Sequence, residues 1–328
     1  MKKSLLALAV LGLSGAAMAQ SSVTLYGVAD GGVGRVKYGC DAAKPGDCKT
    51  QFLGAGLMNN GDSRLGVKAT EDMGGGLQAG INFETGLSLD DGSTRSVPPP
   101  KGLSGGFWQR QANVSIGNPQ QWGTIKLGRQ FTPSYLANSM YELTGMANYT
   151  VVGNTYKFLG VTDRRAPSAF AYISPSFSGV TGAVGYVSRN DLGLKKDVWD
   201  VAVLYGGGPI SAGLGVNKLA NSKTNYQLGG KYDFGSFAVA ASYTSASRVN
   251  DKAIRRGFGL GGSATFGAFT GTLDLSRDIK NKWDANSKKY TNGLVEVKYA
   301  LSKRTSVYGA YLRLDKTNNF GLGVHHNF

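Results

Sequence analysis

The last nine residues, FGLGVHHNF (320–328), decide the fold. Phe320, Leu322, Val324, His326 and Phe328 share one face of an extended chain, because successive strand residues point to opposite sides. The same stretch holds both histidines of the protein, His325 and His326. Neighbouring imidazoles on a strand face away from each other, so this pair cannot form one metal or catalytic site. The apolar alternation and the aromatic terminus carry the information.

Working back from this end, the same period of two recurs along the chain. Val23 and Leu25 alternate with Thr24 and Tyr26, and the phase continues to Asp30. Leu77, Ala79, Ile81 and Phe83 oppose Gln78, Asn82 and Glu84. Trp199, Val201, Val203 and Tyr205 share a face, as do Phe269, Leu273 and Leu275. Seven tight connections separate such segments: EDMGGG, GNPQQWG, SPSFSG, GGGP, FGS, FGA and LSKRT. They alternate with eight longer stretches centred near 31–60, 90–106, 130–163, 188–197, 217–224, 245–256, 278–290 and 313–319.

Fifteen connections predict sixteen strands, with both chain ends on the short-turn side. An even strand number with short turns at one rim and long loops at the other predicts a transmembrane β-barrel. Closure satisfies every backbone group inside a bilayer, and sixteen strands leave an aqueous lumen. A secreted β-sandwich would need fewer strands and no such asymmetry of loops.

Composition agrees with this reading. Glycine is abundant (49), which disfavours helical folds, proline is scarce (9), and the formal charge is +15. Residues 1–19, MKKSLLALAVLGLSGAAMA, have the basic, apolar, small-residue order of a cleaved secretory leader. The barrel domain is then 20–328. The only cysteines, Cys40 and Cys48, bracket CDAAKPGDC. In an oxidising compartment they read as a disulfide, whereas a metal site would need further ligands nearby. No cofactor, metal or nucleic acid is expected.

Candidate chemistry is sparse. Gly257, Gly259 and Gly262 spell G-x-G-x-x-G, but a strand pattern follows where a dinucleotide site needs a helix. A hydrolase would need a histidine meeting an acid and a nucleophile at the wall, and HHNF contains no acid. No catalysis is expected. In SRLGVKATE, Leu65, Val67 and Ala69 take one face, leaving Arg64 and Lys68 toward water. A charge at the lipid midplane would cost ~2–4 kcal/mol. Asp30 and Glu84 fall on lumen-facing positions of their strands by the same alternation. The stretch beginning at Gly128 is too long for a surface hairpin, is rich in aromatics and carries one carboxylate, Glu142, before Asp163. That composition suits a segment folded against a barrel interior.

Taken together, SSVTLYGVADGGV, SRLGVKATEDMGGGLQAGINFE, the RQ of FWQRQANVSIG, WGTIKLGRQFTP, SPSFSGVTGAVGYV, LSKRTSVYGAY and the terminal GVHHNF resemble the general diffusion porins of Gram-negative bacteria. The match is to the Neisseria and Burkholderiales branch and covers essentially the whole chain. It implies a homotrimer of sixteen-stranded outer-membrane barrels, each with its third loop folded inward, in contact with lipid and lipopolysaccharide. The terminal Phe328 resembles the signal read by the outer-membrane insertion machinery. By matching motifs, Arg64, Arg110 and Arg165 fall on the wall arginines of a pore constriction and Glu142 on an acidic loop position. Arg129 and Arg164 are secondary candidates.

Two features depart from the family. The third loop lacks a Pro-Glu-Phe-Gly-like stretch, and alternation places Arg110 with Ala112, Val114 and Ile116 on the outward face. An outward Arg110 is compatible with the resemblance only where that face meets protein at a trimer interface. The expectation is an anion-selective porin for ions and small hydrophilic solutes. A channel preferring organic acids, or a barrel-based surface adhesin, are the alternatives.

Overall fold

The computed structural model of the chain describes residues 21–37, 50–94, 106–157, 164–189, 197–218, 222–247, 254–283 and 286–328. The leader 1–19 and the Cys40–Cys48 pair lie outside these residues. Sixteen long antiparallel strands close on themselves, joined by one short strand in the first long loop.

The first half comprises β1 (Ser22–Arg35), the short β2 (Gln51–Leu53), β3 (Arg64–Asp72), β4 (Gln78–Gly86), β5 (Gln111–Asn118) and β6 (Gly123–Phe131). Two helices, α1 (Pro133–Ser139) and α2 (Val151–Tyr156), follow in the third loop. The chain continues through β7 (Arg165–Ile173), β8 (Val180–Val187), β9 (Val198–Gly207), β10 (Ile210–Lys218), β11 (Asn225–Asp233) and β12 (Phe237–Ser247). It ends with β13 (Ile254–Phe266), β14 (Phe269–Asn281), β15 (Thr291–Ala300), β16 (Thr305–Leu314) and β17 (Thr317–Asn327).

Each of the seven tight connections joins consecutive long strands, and β17 pairs with β1 to close the ring. Closure is staggered. Residues Ser22 to Val28 of β1 pair with β3, while Val28 to Arg35 pair with β17. The eighth expected long stretch, 313–319, is instead a two-residue turn of Asp315 and Lys316, with Leu314 opposite Thr317. Its charges read as loop in the sequence. The hairpin forms because Asp315 takes a left-handed conformation (φ 54°) and its backbone N–H donates to Asn292 Oδ1 at 2.8 Å.

Apolar residues of one phase cover the outside, among them Leu25, Leu127, Leu214, Leu228, Leu260 and Leu322, all exposed to the lipid layer. The other phase holds the third loop against the inner wall. On β10, Leu214 points out and Gly213 and Gly215 point in; a Cβ on Gly213 would collide with the Ala137 carbonyl oxygen of α1. Gly229 receives the Tyr141 ring, and Gly257 and Gly259 on β13 receive Tyr156 and Val152. The G-x-G-x-x-G match is thus strand, and its inward glycines make room for the loop. Tyr149, Val151, Val152 and Tyr156 bury against Leu294, Leu312 and Leu314, forming an apolar core inside the barrel. Asp200 fastens α1 by accepting from the Ser134 N–H at 3.0 Å and its hydroxyl at 2.5 Å.

Candidate pore constriction

Arg64 opens β3, Arg165 opens β7, and Arg110 stands one residue before β5. All three therefore sit where strands leave the long-loop rim, near Glu84 on β4. Arg110 Nε donates to Glu84 Oε1 at 2.6 Å and Nη1 to Asp62 Oδ2 at 2.8 Å. Arg64 Nε lies 3.6 Å from Glu84 Oε2, and Arg165 Nη2 lies 3.8 Å from Glu84 Oε1. Tyr26 adds its hydroxyl to Glu84 Oε2 at 3.1 Å. Gly66 makes this reach feasible, because any Cβ there would strike the Tyr26 ring.

The alternation that placed Arg110 outward does not extend to it. The strand phase begins at Gln111, and the Arg110 N–H bonds the Glu84 carbonyl at 3.1 Å while its side chain turns inward. No interface is needed to accommodate it. Burial alone would lower its pKa, but Glu84 and Asp62 outweigh that and raise it, so Arg110 stays cationic.

Arg165 is oriented from behind. Its guanidinium stands 4.3 Å from the Phe131 ring, which stacks on Tyr135 at 4.9 Å. A register irregularity between Gly128 and Gln130 of β6 sets this end of the β6–β7 pair. Arg129 lies at the irregularity and donates through Nε to the Gln109 carbonyl, behind the cluster. Arg164 reaches Asn148 Oδ1 at 2.8 Å, and Asn148 Nδ2 donates to Asp62 Oδ1 at 2.8 Å. A chain of contacts thus links the third loop, the first loop and Arg110.

The remaining candidates lie elsewhere. Lys68 extends toward the lumen beside Tyr26, with Nζ 5.7 Å from its ring centroid. Asp30 is fully buried and lines nothing. It accepts from the Tyr308 hydroxyl (2.7 Å), Asn59 Nδ2 (3.0 Å) and the Gly61 N–H (3.0 Å), and its Oδ2 lies 2.8 Å from His325 Nδ1. His326 is exposed on the opposite face beside Thr305. Glu142 does not join the arginines. Its carboxylate turns into the third loop, accepting from the Thr144 N–H (2.8 Å), the Thr144 hydroxyl (2.6 Å) and the Met146 N–H (2.7 Å).

Sequence reading missed Asp62, Asn148 and Tyr26. Asp62 had one local signal, a carboxylate two residues before Arg64, but only the fold brings it to Arg110. Side-chain exposure is 27% for Arg64, 11% for Arg110 and 10% for Arg165, against 5% for Glu84. A solute in the lumen therefore meets guanidinium edges, with Arg64 foremost, while the carboxylate stays behind them. Such an array can hydrogen-bond carboxylate or phosphate oxygens and attract small anions.

Residues 4–319 match the family model described as Gram-negative porin. Outer membrane porin protein 32 of Delftia acidovorans is 34% identical, covering 98% of this chain and 92% of that protein. An outer membrane porin protein of Bordetella pertussis is 27% identical over the whole of both chains. Among solved structures, the anion-selective porin from Comamonas acidovorans superposes with a TM-score of 0.75 at 26% identity, covering 94% of this chain and all of that one. OmpT of Vibrio cholerae shares the fold at 15% identity, with a TM-score of 0.65 over 94% of this chain and 98% of its own.

Proposed function

Since this chain belongs to the Gram-negative porin family and forms a sixteen-stranded outer-membrane barrel, we propose that it conducts small anions selectively through a constriction formed by Arg64, Arg110 and Arg165. The observation that carries this reading is the sharing of one recessed carboxylate, Glu84, by three guanidinium groups. Asp62 neutralises a second charge, while Lys68 and Arg164 add cations nearby. Among the described residues of the third loop the only carboxylate is Glu142, and the loop's own N–H groups consume it. The described part of the third loop therefore offers little competing negative charge.

A narrow passage with low-dielectric walls focuses such a field and raises the local concentration of anions. An anion sheds part of its hydration and accepts hydrogen bonds from Arg64, then passes on, because no single site closes around it. The solved anion-selective relative supports this selectivity. Reversal potentials in a planar bilayer under a KCl gradient test it: a chloride-favouring value is expected, and a potassium-favouring value would overturn the assignment.

The same arginines could grip a dicarboxylate in two places, and saturable block of the ion current by such an acid would mark a channel preferring organic acids. The protein acts as a homotrimer, and cross-linking of the detergent-solubilised protein tests this. The end of β17 serves the insertion machinery. Phe328 exchanges both backbone hydrogen bonds with Gly27 (3.0 and 3.1 Å), so recognition of the terminus and closure of the ring use the same residue.

A further inference from the structure

We propose that His325 is a further selectivity-determining residue of the constriction, a cation beside Arg64 whose charge depends on pH. The chain has two histidines, and the last strand puts them on opposite sides of the wall. His326 is exposed on the outer face, with Nδ1 2.9 Å from the Thr305 hydroxyl. His325 points inward, and 15% of its side chain remains open. It is therefore the one imidazole on the lumen side of the barrel.

The stagger of the ring brings this residue from the end of β17 to the arginines. His325 pairs with Asp30 of β1, and Val28 of the same strand pairs with Arg64 at the start of β3. Gly61 of the first loop passes between the two side chains. The point at which Gly61 would carry a Cβ lies 3.3 Å from His325 Cε1 and 3.7 Å from Arg64 Nη1. The imidazole and the most open guanidinium are thus neighbours across a bare stretch of backbone.

The ring is held at one nitrogen only. Nδ1 lies 2.8 Å from Asp30 Oδ2. An ionised carboxylate can only accept, so Nδ1 carries a proton in both charge states of the ring. The second proton therefore enters at Nε2, which no described residue hydrogen-bonds. Asp30 keeps its place in either state, because Tyr308, Asn59 and Gly61 also donate to it. The ionisable groups around the ring are Asp30 of β1, Tyr308 of β16 and Arg64 of β3, with Asp62 next along the first loop. Arg110 already neutralises Asp62.

With the imidazole neutral, Asp30 leaves a negative charge beside Arg64 and subtracts from the potential that the guanidinium presents to the lumen. With the imidazole charged, that carboxylate is balanced and the full charge of Arg64 acts on a passing ion. Imidazole is the side chain that changes charge between about pH 5 and 8. Anion selectivity should therefore strengthen on acidification, with no movement of the third loop required. The inference deepens the anion-selective reading and rests on Arg64 belonging to the constriction.

The test is the zero-current potential of the protein in planar bilayers under a KCl gradient, recorded at about pH 8 and about pH 5.5, either side of imidazole titration. The chloride-to-potassium permeability ratio should rise roughly twofold on acidification, the size expected of one unit charge added several ångströms from the ion path in screened solution. His325→Gln, which retains an N–H for Asp30, should lose most of that rise, while His326→Gln should keep it. His325→Lys should hold the higher ratio at both pH values, and it carries the test if the glutamine variant fails to fold. An equal rise in His325→Gln and the unaltered protein would overturn the proposal. Loss of the rise in His326→Gln would do the same, as would a lysine variant that follows pH as the unaltered protein does. A potassium-favouring potential at both pH values, with the shift still confined to proteins that carry His325, would overturn the anion-selective reading of the lumen and uphold the role of His325.

Discussion

Arg110 Nε and Glu84 Oε1 stand 2.6 Å apart, and the same carboxylate lies within 4 Å of the guanidiniums of Arg64 and Arg165. Glu84 therefore holds three like charges together that would otherwise repel. Glu84→Gln should raise the chloride-to-potassium permeability ratio, since one negative charge leaves the wall. It should also destabilise the barrel by about 1–3 kcal/mol through the unpaired guanidiniums. Reversal potentials and urea unfolding in detergent report the two effects, and a lower permeability ratio would contradict the proposed polarity.

Arg64 is the most open of the three guanidiniums. Arg64→Ser should weaken anion selectivity, and Arg165→Ser should do so less, because Phe131 and Glu84 enclose more of Arg165. The permeability ratio from zero-current potentials measures both. Unchanged ratios in both variants would remove these residues from the selectivity mechanism.

Gly213 forms the bed of α1. Gly213→Val should force the helix off the inner wall, change single-channel conductance and reduce stability by about 1–3 kcal/mol. Gly271→Val, whose side chain would meet open space on the outer face, should leave conductance as it is. Indistinguishable conductance traces for the two variants would show that α1 does not depend on this contact.

Asp30 joins β1 to β16, β17 and the first loop through the contacts of Tyr308, His325, Asn59 and Gly61. Asp30→Ala should cost about 2–3 kcal/mol, because it leaves buried donors without an acceptor. Released from this node, the first loop should also hold Asp62 less firmly against Arg110. Thermal unfolding followed by circular dichroism checks the first effect and open-channel noise the second. A variant with unaltered melting would show that the node is dispensable.

Strand number, turn positions and the lipid-facing phase were legible in the sequence because they depend on local patterns. A period of two in apolar residues and a glycine-rich turn mark a strand and its end whatever the strand's neighbours are. The reading failed where local pattern and geometry diverge. Asp315 and Lys316 looked like part of a loop yet form a tight hairpin, and Arg110 was assigned a strand phase that begins only at Gln111.

The constriction was legible only as a set of residue types. Tertiary structure alone decided that Glu84 faces Arg110, that Glu142 spends its carboxylate on the third loop, and that inward glycines of β10, β11 and β13 seat that loop. These outcomes depend on how sixteen strands are staggered around a closed ring. That stagger sets which side chains from distant strands share a level, and it belongs to the whole ring rather than to any single strand.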